Sequence, residues 1–443
     1  MPVVDTHRGQ LVSLARPVYV ELLASVAAGI INTVWVARLG GPAVAAVAVA
    51  TNTENVLLGV ALVFGSGTTV LVARARGARD PGAVRAAVRG GWAVWALITP
   101  VVAGGGFLLR EPLAGAVLGD ESAALALAVG YFAISLPGMA VFFAQNLVDG
   151  ILKGTGDTRT PMRLALLTNG LILVCDPWLI HRYGVQGAAL STVLCRCAAL
   201  AAGLAVLRRS APLRAARSAR PAEGVRPALR RTLRTGLPMA ADFTVRQGGA
   251  LVLVAVVARI GVTAVAAYAI AYKSLYVATM AFYSVRQAAA IHTAHLLGAG
   301  RDERRAIGRA AVLLSGTAGA LAAVLFALAA PWIMAAFGAG PEVAAAGALF
   351  LRCVGPYLLL MACFIALGGV FEGGGAAPLL LRVTVLGTAV QLPLAYGLSG
   401  LGLPGVCLAL ALAMAVQCAA VAVLARRARR RQEETVGSLA RAA

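Results

Sequence analysis

Charge is scarce in this chain. Asp, Glu, Lys and Arg make up 13% of its 443 residues, and no stretch is both long and polar. A separate soluble domain is excluded on that ground. Lysine is nearly missing: Lys153 and Lys273 are the only two, and Arg carries the rest of a +21 formal charge. With so much Ala, Gly and Val, that bias reads as a GC-rich bacterial codon signature. The arginines collect in particular loops rather than on an amphipathic face, which excludes a nucleic-acid partner. The seven cysteines have no metal-ligand or redox spacing. Cys195 and Cys197 flank Arg196, the others are scattered through apolar runs, and all read as small core residues. There is no HExxH, no GxSxG and no paired midplane His. The glycine runs Gly104–Gly106 and Gly373–Gly375 lack a P-loop Lys. The chain is therefore read as no enzyme, with no cofactor and no ATP-driven step.

What is present is apolar: 60% of all residues. A membrane span needs about 20 such residues, and on that basis twelve are expected. They lie at 11–36, 43–72, 89–109, 122–150, 163–182 and 187–207, then 233–258, 264–296, 307–330, 344–372, 378–398 and 402–425. The run from Leu11 is too long for a signal-peptide core and reads as the first span, retained. Pro17, Pro137, Pro238 and Pro356 fall inside expected helices and predict kinks.

The chain also repeats itself. Ala37–Ala50 recurs as Ala258–Ala271, with nine of the fourteen positions identical. The same shift carries Pro17 onto Pro238, Glu21 onto Asp242 and Gly77 onto Gly298. Six spans per half start each half on the same side of the membrane. The fold class expected is thus an all-α membrane protein of two six-helix lobes, related by a pseudo-two-fold axis along the membrane normal, with a cleft between them. The expected parts are a first lobe over 1–207, a basic linker over 208–232, a second lobe over 233–425 and a basic tail over 426–443. Arginine is dense in the loops around 74–85, 153–163 and 301–309, in the linker and in the tail. The opposite loops carry Arg38, Arg110, Arg182 and Arg259. By the positive-inside rule both termini are cytoplasmic.

Several strings resemble one family. Asn32-Thr-Val-Trp-Val-Ala-Arg-Leu-Gly40, Val72-Ala-Arg-Ala-Arg-Gly-Ala-Arg-Asp80, Gly154-Thr-Gly-Asp-Thr-Arg-Thr-Pro161, Gly236-Leu-Pro238 and Leu297-Gly-Ala-Gly300 are similar to segments of the multidrug and toxic compound extrusion (MATE) family. The nearest branch is the one named for DNA-damage-inducible protein F. The resemblance runs from about Leu14 to about Leu424. It implies a twelve-helix antiporter of the bacterial inner membrane, monomeric, exporting organic cations or secondary metabolites in exchange for H+ or Na+, with H+ favoured. The alternative is a flippase or exporter of lipid-linked or anionic substrates. One departure matters: many bacterial members carry a coupling Asp immediately before the Thr of the first run, and here Asn32 stands there. An amide cannot titrate.

Charges at mid-bilayer persist when paired, hydrated or functional. Glu21 and Glu54 lie near the middle of sequential, antiparallel spans, so they are expected to share a pocket. They are read as the cation-coupling pair in place of the missing Asp, with Asn32 and Asn55 in support. Glu54 sits in Thr51-Asn-Thr-Glu-Asn55, a polar run that must face the interior or the cleft. In the second half the substrate-binding candidates are Asp242, Arg246, Lys273, Tyr272, Tyr276 and Arg286. Asp242 and Arg246 are spaced i, i+4 as a local ion pair. The other expectations are an Asp176–Arg196 pair, an Asp149–Lys153 pair, Glu372 at a gate, and His292 with His295 in interfacial packing.

Overall fold

The structure, a computed structural model, describes residues 2–119 and 122–442, with side chains over 6–119 and 123–424. The side chains of the basic tail over 426–443 lie outside the described ones. The first half comprises α1 (Pro2–Ala37), α2 (Gly41–Gly77), α3 (Pro81–Leu108), α4 (Arg110–Leu118), α5 (Ser122–Gly154) and α6 (Arg159–Arg209). A short α7 (Ala211–Ser218) follows. The second half comprises α8 (Val225–Ala258), α9 (Val262–Gly298), α10 (Arg304–Ala336), α11 (Pro341–Cys353), α12 (Gly355–Gly373), α13 (Ala377–Gly397) and α14 (Gly402–Ala442). Among the described residues, eleven helices are long and apolar enough to cross a membrane.

Two boundaries differ from the sequence reading. The fifth and sixth expected spans form one 51-residue element, α6, turned at Gly184 (φ 58°, ψ −136°). Only glycine takes up that conformation without strain. Pro356 does not kink a helix, as its position in a continuous apolar run predicts. It lies in the first turn of α12, where its missing N–H leaves no bond unmade, and α11 ends just before it. Pro17, Pro137 and Pro238 do lie inside helices.

Each half builds its own apolar core. Phe64, Met139, Phe143 and Leu147 anchor one in the first half. Phe282, Phe350, Leu358 and Phe364 anchor the other. Two helices are shared. The start of α1 packs Leu11 and Ala15 on Val285, Ala288 and Ile307 of the second half, while Val36 near its end joins a first-half cluster. The start of α8 lies on α2 and α3, and its later part on α13.

The halves meet backbone to backbone at the basic end. A Cβ on Gly77 would stand 1.9 Å from the carbonyl oxygen of His295, and one on Gly298 would stand 1.9 Å from that of Arg74. Both glycines, and both residues they meet, are partners in the internal repeat. Further along, Gly236 of α8 abuts Val63 of α2, where a Cβ would fall 1.7 Å from a carbonyl oxygen. Gly59 of α2 faces Phe243 and Thr244. Beyond it, Thr51, Asn52 and Asn55 of α2 are exposed, as are Tyr272, Lys273 and Tyr276 of α9. A polar face of that kind is not tolerated against lipid, so it lines a cleft that opens away from the basic end. Polar contacts add to the seal at the basic end: His7 Nδ1 of α1 lies 3.0 Å from His292 Nε2 of α9, and His7 Nε2 lies 2.8 Å from Glu303.

Gly77→Ala and Gly298→Ala should each cost about 1–3 kcal/mol by overpacking and lower the unfolding temperature in detergent. Gly29→Ala, which has nothing within 4 Å, should be neutral. Equal melting temperatures for all three variants would sink the close-packed seam.

Candidate functional site

The largest buried charge cluster lies in the second half. Asp242 of α8 is 1% exposed. It is ion-paired with Arg246 one turn away, as the i, i+4 spacing predicts. It also accepts from Arg286 Nη2 of α9 at 2.8 Å and from Thr384 Oγ1 of α13 at 2.5 Å. Arg286 in turn reaches Glu372 of α12, with Nη2 to Oε1 at 2.6 Å and Nε to Oε2 at 3.2 Å. Four elements are thus tied by two cations and two carboxylates, a neutral set. Gly369 lets α12 approach this closely, since a Cβ there would stand 2.1 Å from the Arg286 carbonyl oxygen. Glu372, expected at a gate, is a member of this ion-pair network.

The first half has two smaller, unbalanced clusters, one around Asp176 and Glu54 and one around Glu21 and Asp149. Asn32 Nδ2 of α1 donates to Asp176 Oδ2 of α6 at 3.0 Å. Asp176 is 0% exposed, with Ser191 of the same element as its second polar neighbour. Tyr131 of α5 lies close to Asp176, Glu54 and Arg196. Glu54 of α2 faces Ser135 and Arg196. The expected Asp176–Arg196 pair is not formed: Asn32 takes the aspartate, and Arg196 lies over the Phe142 ring, 4.6 Å from its centroid. Two carboxylates and one guanidinium give one excess negative charge when all are ionised. Asn32 also changes the proton count. An amide donates to Asp176 at any pH, whereas an acid there would have to be protonated to do so.

Glu21 does not join Glu54. Lys153 Nζ of α5 donates to Glu21 Oε1 at 2.7 Å and to Gln287 Oε1 of α9 at 3.2 Å. Lys153, beside Glu21, and Ser135, beside Glu54, are 18 residues apart on α5, about 27 Å of helix. The shared pocket was expected because each residue is central in its own span. The helices overrun the spans, α1 starting at Pro2, so Glu21 lies toward the basic end. Asp149 is a neighbour of both Glu21 and Lys153, but Lys153 is taken by Glu21 and not by its i, i+4 partner. Asn55 is exposed on the cleft side of α2.

On α9, Tyr272 is 41% and Tyr276 45% exposed, and both lie near Tyr283. Arg246 is 5.7 Å from the Tyr283 ring centroid. Lys273 is exposed beside them. Tyr268, by contrast, is buried, stacked on Tyr272 and edge-on to Phe350, and only packs. Sequence reasoning missed Thr384, Tyr131, Ser135 and Gln287. Neutral polar side chains in apolar helices carry no local signal of what they face.

A sequence model described as MatE matches residues 17–178 and again 238–397. The two matches begin at Pro17 and Pro238, repeat partners. The chain is 27% identical over 256 residues to "Probable multidrug resistance protein YpnP" of Bacillus subtilis, covering 56% of each. It is 31% identical over 208 residues to "DNA damage-inducible protein F" of Escherichia coli, covering 45% of this chain and 44% of that one. The chain thus spans about half the length of these curated relatives. A solved structure of a mutant of the Vibrio cholerae MATE transporter VcmN superposes with a TM-score of 0.89 at 20% identity, covering 97% of this chain and 98% of that one.

Arg286→Met leaves Glu372 without a cation and Asp242 with one fewer. It should destabilise by about 3–5 kcal/mol. The double variant Arg286→Met/Glu372→Gln should recover more than half of that loss. Strictly additive losses in a double-mutant cycle read by thermal unfolding would refute the coupling.

Proposed function

The chain belongs to the MatE family, and on that premise we propose that it is a cation-coupled efflux antiporter working by alternating access. It is a multi-pass membrane protein whose relatives are transporters, not enzymes. We read its architecture as twelve spans, α6 supplying two on either side of Gly184 and α11 with α12 supplying one. The reciprocal seam contacts of Gly77 and Gly298 support a pseudo-two-fold axis along the membrane normal. The arginine-rich end, with both termini, faces the cytoplasm of a bacterial cell by the positive-inside rule, and the protein acts as a monomer. The cleft of this structure is then the outward-open one.

The observation that carries the reading is the excess negative charge at the buried Asp176 and the half-buried Glu54 and Arg196. A buried charge without a counter-ion is costly, so this site favours taking up one H+ or one Na+. H+ is the better match, because a proton needs one carboxylate and no cage of oxygen ligands, although carboxylates with amide neighbours suit either ion. Asn32 orients Asp176, and Tyr131 lies close to both carboxylates. Asn55, on the cleft face of the helix that carries Glu54, links that site to substrate. Cation binding from the open side would neutralise the site and lower the affinity for an organic cation in the cleft. Such an exchange requires different affinities in the two states. Glu21 has another role: its pair with Lys153 and Gln287 helps hold the basic end shut.

The second half supports a second reading. Lys273, Arg246, Tyr272 and Tyr276 give that side of the cleft a cationic, aromatic surface suited to an anionic or lipid-linked substrate. Neutralising Asp242 would leave Arg246 without its carboxylate, while Arg286 keeps Glu372.

Ethidium transport in inside-out vesicles, under a proton or a sodium gradient alone, tests the first reading. Wild type should accumulate dye under one gradient, which names the ion. Glu54→Gln and Asp176→Asn should each reduce gradient-driven transport at least tenfold, while Glu21→Gln should retain coupling. Transport of an anionic dye but not ethidium would favour the second reading. Full coupling in both carboxylate variants would sink the proposed site.

A further inference from the structure

A cavity of about 480 Å3 opens at the basic end, outside the cleft, between α3, α6 and α7. Arg85, Arg89, Arg208 and Arg217 line it, and among the described residues none of the four pairs with a carboxylate. Two of them build the site. Arg85 Nη1 donates to the carbonyl oxygens of Arg217 and Ala219, both at 2.7 Å, and Arg217 Nη2 donates to that of Leu207 at 3.3 Å. These bonds hold α7 under the opening, with Leu213 and Ala216 buried. Arg89 and Arg208 are exposed, with no such bond. Four like charges around one cavity repel one another unless an anion joins them.

The walls show which anion fits. Along α3 the face runs from Arg85 and Arg89 to Trp92, within about 10 Å of helix. Val88 lies between the two arginines on that face, and Ile151 of α5 adds an apolar floor. The facing wall of α6 runs the same way, from Arg208 through Leu207 to Leu204. Both walls pass from guanidinium to apolar side chains, with an indole at the transition where membrane interfaces favour it. A phosphate group has the geometry for guanidinium forks, and an acyl chain matches the apolar continuation. Basic pockets between helices on the positively charged side of a membrane protein take anionic head groups.

We propose that this cavity is a binding site for an anionic phospholipid, its phosphate held by Arg89 and Arg208 with Arg217, and its chains lying along α3 and α6. The bound lipid fixes α7, and with it the connector between the halves, to the membrane surface.

The test uses delipidated full-length protein, with thermal stabilisation and native mass spectrometry as readouts. The probes are dihexanoyl phosphatidylglycerol, dihexanoyl phosphatidylcholine and inorganic phosphate. Phosphatidylglycerol should stabilise the wild type and remain bound. Arg89→Gln/Arg208→Gln should weaken that binding about thirtyfold, while the control Arg305→Gln/Arg309→Gln, equally basic and exposed, should not. Should the double variant fail to fold, each single variant is expected to lose about fivefold. Unchanged affinity in the Arg89 and Arg208 variants overturns the site. Equal stabilisation by inorganic phosphate overturns the lipid in favour of a bare oxyanion. Equal stabilisation by phosphatidylcholine overturns the charge selectivity.

Discussion

A charge inside a bilayer has no water to turn to, so it must find its partner within the protein. That constraint organises this chain more than any apolar contact does. Lipid is as apolar as leucine, so burying leucine against leucine gives little reason for one helix arrangement over another. A guanidinium between two carboxylates does give one. Arg286 fixes α9 against α8 and α12 at once, and Thr384 brings in α13. The glycines answer the same need from the other direction. Gly369 lets α12 come close enough for Glu372 to reach, and Gly77 and Gly298 bring α2 and α9 into backbone contact at the seam.

The two halves solve the constraint differently. In the second half, opposite charges are matched in number and the network is closed. In the first, the carboxylates of Asp176 and Glu54 outnumber the one guanidinium near them, and the amide of Asn32 cannot take up a proton in their place. One half thus holds a closed, neutral network and the other a cluster with a charge to be satisfied. Identical topology therefore does not mean identical duty, and the 221-residue repeat, so clear in the backbone, breaks down at the residues that carry charge.

The helices and the repeat were legible in the sequence because both are local signals. Hydrophobic runs give spans, and Ala37–Ala50 against Ala258–Ala271 gives the duplication. The Asp242–Arg246 pair was legible for the same reason, being four residues apart. Asp176 with Asn32, Lys153 with Glu21 and Arg286 with Glu372 were not. They join residues 86 to 144 apart in the chain, and their meeting depends on how far each helix slides past its neighbour. Counting depth from the edge of an apolar run failed for Glu21 because the helix extends well beyond that run. Pro356 failed by a different route: a break between two helices and a kink within one look alike in composition.

The two shared helices bear on how such a molecule can move. Any motion that parts the seam carries Leu11 and Ala15 away with one body while Val36 stays with the other, and α8 is pulled in the same manner. Neither body can swing alone; each drags a helix of its neighbour. Both helices carry a proline near the point of transfer, Pro17 in α1 and Pro238 in α8. A helix bends at proline without losing a backbone hydrogen bond, because the amide that would make that bond is not there. Flexure of either helix is thereby favoured at a place already short of a donor, and the rest of its ladder can stay intact as it bends.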